Sequence, residues 1–199
     1  MLTVAIQAGG RSSRMREDKA LRPFLGRPLI QRVVERLRPI ADEMIVTTNR
    51  PAEYAFLGLP LFADSGPQRG ALGGLYTALR AAGSPLVAIV ACDMPFASAA
   101  LLAEAARRLE LERLDAVLPG TERGAEPLHA VYRRSTCLPM IHAALQAGEL
   151  KVTAWIPRVR LRVLRVDEWK EWDPQGLAFW NLNTPKEFTE AERLALAND

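Results

Sequence analysis

The sequence predicts an α/β fold: one three-layer, doubly wound domain built on a mostly parallel sheet. Three observations carry that expectation. Short apolar runs alternate with amphipathic stretches almost throughout, the rhythm of βα units. Two of the runs, Val4-Ala5-Ile6 and Leu86-Val87-Ala88-Ile89-Val90, are apolar without alternation, as strands covered by helices on both faces must be. The chain has 199 residues, enough for one compact core and short for two full ones.

Taken in order, the short apolar runs predict strands over residues 2–7, 43–48, 61–63, 86–91, 115–118, 128–132 and 159–166. The amphipathic stretches between them predict helices over 29–37, 70–82, 98–111 and 137–147. A last helix over 184–197 announces itself by its start: Thr184 as N-cap, Pro185 at the first helical position and Glu187 closing a capping box. The part after Leu114 is richer in strands and turns than in clean βα units, and is expected to extend the same sheet. The chain 1–199 is therefore read as a single domain, without internal repeats or low-complexity segments.

Composition narrows the function classes. The chain is 49% hydrophobic and 25% charged, which excludes collagen-like and disordered readings. Of 26 basic residues only Lys19, Lys151, Lys170 and Lys186 are lysines, the rest being arginines. A net charge of +3 favours anionic partners weakly, and phosphate compounds fit as well as nucleic acid. The two cysteines, Cys92 and Cys137, form no CxxC pair, so a disulfide framework is not expected and a reduced cytoplasmic setting is. No apolar run approaches 18 residues, and the first residues lack the pattern of a signal peptide, so no membrane partner is expected.

The most informative segment follows the first strand: Ala8-Gly9-Gly10-Arg11-Ser12-Ser13-Arg14-Met15-Arg16-Glu17-Asp18-Lys19. Consecutive glycines admit positive φ and let backbone amides approach a ligand closely, in a nest suited to phosphate oxygens. The same residues would also serve a solvated basic turn. Open α/β sheets place ligands at the carboxyl ends of their strands, where this loop begins. It is neither a GxxxxGK[ST] loop nor a GxGxxG loop. A second acid-bearing station, Ala91-Cys92-Asp93-Met94-Pro95-Phe96, leaves the buried 86–91 run. A carboxylate at a strand tip suits either an N-cap or turn role or Mg²⁺, which takes one or two protein carboxylates plus phosphate oxygens and waters. Cys92 is expected to be a buried packing residue rather than a nucleophile.

The first loop resembles the (L)AGGxSxRMGxDK signature of the MobA-like NTP transferases, with Gln7 where that family usually has Leu and Arg16 where it usually has Gly. Further stations resemble the family's motifs in the same order. They are Val46-Thr47-Thr48-Asn49, Ala63-Asp64, the glycine-rich 66–74 segment, the Cys92-Asp93 run, Glu126-Pro127-Leu128-His129-Ala130-Val131-Tyr132, and Asn181-Leu182-Asn183-Thr184-Pro185. Ala71 and Ala91 stand where the family has Pro. His129 is expected to be a sheet residue and His142 a surface or packing residue.

The resemblance implies a Rossmann-like nucleotide-diphospho-sugar transferase fold. It implies a nucleotide-binding part over about 1–114 and an acceptor side over about 115–199. It implies transfer of GMP from Mg-GTP to the phosphate of Mo-molybdopterin, giving the guanine dinucleotide and pyrophosphate. By the same resemblance Lys19, Arg14 and Asp93 carry the chemistry, with Asp93 holding Mg²⁺. Gln7, Ala8, Gly9, Gly10, Asn49, Asp64 and Gly73, together with Lys19 and Asp93, would contact the nucleotide, and Asn181 and Asn183 the acceptor. Proteins that deliver the cofactor or mature molybdoenzymes are implied as partners. A phosphomonoester acceptor is already ionised at neutral pH, so no strong general base is required, and no serine or metal-protease motif is present. The competing readings are a cytidylyltransferase acting on molybdopterin, a sugar- or alcohol-phosphate nucleotidyltransferase, and a non-catalytic nucleotide- or RNA-binding module. No RNA-recognition motif is present, and nucleic acid is not an expected partner.

Overall fold

The structure is a computed structural model that describes residues 1–8, 18–64 and 70–198. Its centre is β1 (Leu2–Gln7), every residue of which is buried. After it, the two-residue strands β2 (Pro23–Phe24) and β3 (Arg27–Pro28) form a small antiparallel ribbon that feeds α1 (Leu29–Leu37). The chain then lays β4 (Glu43–Thr47) beside β1, turns through the short α2 (Pro51–Tyr54), and adds β5 (Leu61–Phe62) outside β4. Helix α3 (Gly70–Ala81) returns it to β6 (Leu86–Ala91) on the other side of β1.

Helix α4 (Ala99–Leu111) leads to β7 (Ala116–Thr121), which pairs with the two-residue β8 (Gly124–Ala125). Strand β9 (His129–Arg133) then inserts between β6 and β7, antiparallel to both. After α5 (Arg134–Gln146), β10 (Leu161–Leu164) runs parallel to β7, and α6 (Val166–Trp169) and α7 (Pro185–Asn198) complete the order. The main sheet reads β10-β7-β9-β6-β1-β4-β5.

Two cores flank this sheet. One packs α1 and α4 against it through Ile30, Val33, Leu101 and Leu102; the other packs α3 and α5 through Leu72, Leu75, Cys137 and Ile141. A third, smaller cluster joins Phe24, Phe96 and Phe188, so α7 rests on the ribbon and on the segment after β6. The architecture is the three-layer, mostly parallel α/β arrangement that the sequence predicts.

Element edges differ in informative ways. The predicted strand over 159–166 shrinks to β10, because Val159 closes the 3-10 turn Ile156–Arg158 and Val166 opens α6. Glu168 Oε2 accepts the Arg165 N–H at 3.0 Å, which starts a helix where side-chain type alone suggests strand. Helix α5 begins three residues before the predicted 137 and runs through Pro139, a residue that usually marks a helix boundary. The ribbon, α2 and β8 were not predicted. The ribbon turns at Leu25 (φ 50°) and Gly26 (φ 80°), the left-handed pair that a tight two-residue hairpin needs.

Connectivity fixes where a ligand can sit. From β1 the chain winds outward to β4 and β5, then crosses back to β6. The carboxyl ends of β1 and β6 therefore flank a topological switch point, the crevice where open α/β sheets bind ligands.

Candidate active site

At the end of β6, Asp93 stands half-buried beside that crevice. Burial pushes its carboxyl up, while the Lys19 ammonium and the Asp93 backbone N–H draw it back down. Lys19 reaches this place from the other side of the crevice. It opens a 3-10 turn, Lys19–Leu21, whose N-cap is Asp18: Oδ1 accepts the Ala20 N–H at 3.1 Å. Asp18 is held in turn by the Arg50 guanidinium and by the Tyr54 hydroxyl. Tyr54 is fully buried, and burial together with the Asp18 hydrogen bond raises its phenol well above the ordinary value, keeping it a proton donor.

The C-terminal motif docks on the same two groups. The Leu182 N–H donates to the Asp93 carbonyl at 3.0 Å, and Lys19 Nζ donates to Asn183 Oδ1 at 2.6 Å. Asn183 Nδ2 donates to the Asn181 carbonyl at 3.0 Å. The predicted capping box is present: Glu187 Oε2 accepts the Thr184 N–H at 2.7 Å and the Asn183 N–H at 2.6 Å, and the Glu187 N–H donates to Thr184 Oγ1 at 3.2 Å. Burial alone would raise Glu187. The Asn183 and Thr184 amides, the Thr184 hydroxyl and the Lys19 charge outweigh it and hold the carboxyl below the usual carboxylate range. Lys19, Asp93 and Asn183 thus meet although 164 positions separate the outermost two.

A second group assembles at the ends of β4 and β5. The Asp64 N–H donates to Asn49 Oδ1 at 2.9 Å, and Asn49 Nδ2 lies 3.4 Å from Asp64 Oδ2. Asp64 Oδ1 also accepts the hydroxyl of Thr77, a buried residue of α3. Thr77 had no sequence signal of its own, and neither had Asp18 and Tyr54 as a pair, since their partners lie 13 to 36 positions away.

Gln7 occupies the end of β1, buried beneath the first turn of α3. Its Nε2 donates to the Ala71 carbonyl at 3.2 Å, and its buried Oε1 finds no partner among the described residues. Ala8, also buried, donates its N–H to the Thr47 carbonyl at 2.8 Å, and Gly73 is buried within α3. Gly9, Gly10 and Arg14 lie outside the described residues.

Other expectations are resolved by burial. His129 is fully buried in β9, accepts the Ser98 N–H at 3.0 Å through Nε2, and is pushed down to about 4 by burial. It is a neutral structural residue. His142 stacks on Tyr76 at the surface of α5. Cys92 is only partly buried, a correction to the buried position expected. Burial of its thiol and the neighbouring carboxylates still raise it, so it stays protonated and non-nucleophilic. Cys92 and Cys137 are both free thiols.

The donor set can be tested against a divalent cation. Among the described residues no cluster of three or more His, Cys, Asp or Glu gathers at one point. A single strand-tip carboxylate, Asp93, facing an ammonium fits Mg²⁺, which keeps several waters and draws other ligands from substrate phosphates. It does not fit a zinc site, which needs three or four protein ligands. No helix among the described residues is long and apolar enough to cross a membrane.

Comparison with known proteins bears on what this crevice accommodates. The family model described as the MobA-like NTP transferase domain matches residues 4–161. The chain is 38% identical over 189 residues to a protein of Carboxydothermus hydrogenoformans named "Probable molybdenum cofactor guanylyltransferase", covering 94% of this chain and 93% of that one. It is 34% identical over 192 residues to the "Molybdenum cofactor guanylyltransferase" of Desulfosudis oleivorans, covering 96% and 94% respectively. Its structure is similar to the crystal structure of "Molybdopterin-guanine dinucleotide biosynthesis protein A" from Archaeoglobus fulgidus, with a TM-score of 0.85 and 25% identity over 98% of this chain and 99% of that one.

Proposed function

The chain belongs to the MobA-like NTP transferase family, and from that premise we propose that it transfers GMP from GTP to the phosphate of Mo-molybdopterin, releasing pyrophosphate. The observation that carries this reading is the convergence of Lys19, Asp93 and the 181–187 motif on the carboxyl ends of β1 and β6. It sets an ammonium and a half-buried carboxylate where a triphosphate would lie.

The acceptor phosphate is already ionised, so the residues here must position and neutralise charge instead of removing a proton. Lys19, with Arg14, would meet the charge that develops on the leaving pyrophosphate. Ala8, Gly9 and Gly10 would bring backbone to the triphosphate. Asn49 and Asp64, locked together, would hold the nucleoside with Gln7 and Gly73. Asp93 would hold Mg²⁺, which when bound supplies positive charge to the phosphate oxygens. Residues of about 1–114 would serve the nucleotide. Those of about 115–199 would serve the acceptor, with Asn181 at its edge. Free thiols suit a cytoplasmic setting. Family membership implies cofactor-delivery or molybdoenzyme-maturation proteins as its partners.

Pyrophosphate release measured with GTP, CTP, ATP and UTP, each with Mg²⁺ and Mo-molybdopterin, tests the reading. Release with GTP alone is expected. Preference for CTP would make the protein a cytidylyltransferase, and release with none would leave a binding module.

A further inference from the structure

We propose that Asn183 is a positioning residue for Lys19: its amide oxygen holds the ammonium at the mouth of the crevice without neutralising it, and so ties the C-terminal motif to the triphosphate. The proposal rests on the guanylyl-transfer reading for its kinetic arm but not for its structural arm.

Lys19 carries four rotatable side-chain bonds, and a free ammonium would lose considerable conformational entropy on engaging phosphate. The structure shows that loss already met, because Nζ donates to Asn183 Oδ1 at 2.6 Å. Asn183 is itself fixed at both ends. Its side-chain amide donates to the Asn181 carbonyl at 3.0 Å, and its backbone N–H is taken by Glu187 Oε2 at 2.6 Å. One residue earlier, the Leu182 N–H is pinned to the Asp93 carbonyl at 3.0 Å. The motif therefore ties the Lys19 ammonium to the stretch of backbone that carries Asp93.

The residue type matters as much as the place. An amide oxygen accepts one of the three ammonium protons and leaves the full positive charge for phosphate. A carboxylate at the same spot would form an ion pair with Lys19 and compete with the nucleotide. Glu187 is the acid nearest this arrangement in the motif, and its carboxylate is turned onto the Asn183 and Thr184 amides instead.

Four lysines in the whole chain make a direct test practicable. Protein labelled with ¹³C-lysine gives few Cε resonances, and Lys19 is assigned by its absence in Lys19→Arg. In the ligand-free protein, Asn183→Ala is expected to move the Lys19 resonance and leave those of Lys151, Lys170 and Lys186 in place. With GTP and acceptor, the same variant is expected to lose on the order of 10- to 100-fold in kcat, as misplacement of a reacting group does, with the acceptor KM within about threefold of wild type. Asn183→Asp is expected to keep the Lys19 contact but to weaken GTP binding measured without acceptor. A Lys19 resonance unmoved in a folded Asn183→Ala protein overturns the proposal. So does a loss confined to the acceptor KM, which would make Asn183 an acceptor contact only. If wild type turns over no GTP, the guanylyl reading fails, and the ligand-free resonance still decides the link.

Discussion

Gly74 forms the niche in which Gln7 lies: a Cβ on Gly74 would stand 2.3 Å from Gln7 Nε2 and 2.5 Å from the carboxamide carbon. No real side chain tolerates that approach, and Gln7 is buried with its Nε2 committed to the Ala71 carbonyl. The glycine at this station thus leaves room for the buried Gln7 carboxamide, whatever the nucleotide contributes at neighbouring glycines.

Gly74→Ala is accordingly expected to destabilise the fold by about 1–3 kcal/mol, the usual cost of overpacking. In a Gln7→Ala background the same change should cost much less, because the obstructing carboxamide is gone. Urea unfolding of the four proteins of this cycle measures the coupling. Additive costs would show that Gln7 is not what Gly74 accommodates.

Thr77 orients the carboxylate that Asn49 also touches, since its hydroxyl donates to Asp64 Oδ1 at 2.7 Å. Thr77→Val preserves shape and deletes that donor. The expected result is a GTP KM raised by about three- to tenfold at unchanged kcat, the value of one ordinary hydrogen bond, with recovery in Thr77→Ser. An unchanged KM in Thr77→Val would separate Asp64 from nucleotide binding.

His129 makes stability depend on pH in a definite direction. Burial pushes it down to about 4, whereas in the unfolded chain it titrates near the ordinary 6.5. Between those values the unfolded state binds the extra proton. Stability is therefore full above about 6.5 and is lost as pH falls toward 4. From pH 7 to pH 5 the loss from this one group is about 2 kcal/mol. His129→Gln keeps an acceptor for the Ser98 N–H and cannot titrate. Its unfolding free energy should fall less over that interval than the wild-type value, and an identical fall in both would exclude His129 as the source.

Much of the fold was legible because burial writes itself into side-chain type. The unalternating Val4–Ile6 and Leu86–Val90 runs suggested strands buried on both faces, and they are β1 and β6. The end of the 159–166 run was not legible, because Val166 fits a strand by type and only the Glu168 carboxylate on the Arg165 amide makes it helical. The residues of the crevice follow the same division. Lys19, Asp93 and the Asn181–Thr184 motif stood out by order along the chain. That Asn183 would face Lys19, or that Tyr54 would reach Asp18, depends on packing that no local pattern encodes.

Asp18 provides the last test, because it joins stability to the position of Lys19. Its carboxylate caps the Lys19–Leu21 turn and accepts from both Tyr54 and Arg50. Asp18→Ala removes the cap and strands a buried phenol hydroxyl, which stays protonated and still needs an acceptor. The two losses together should cost about 2–3 kcal/mol. Tyr54→Phe alone removes only the donor, and in combination with Asp18→Ala it removes the orphan. The double variant is therefore expected to be no less stable than Asp18→Ala, and more stable than the sum of the single costs allows. Turnover should fall in Asp18→Ala and remain low in the double variant, because the cap that aims Lys19 is still missing. Recovery of activity along with stability would mean that Asp18 acts through Tyr54 alone and does not set the course of Lys19.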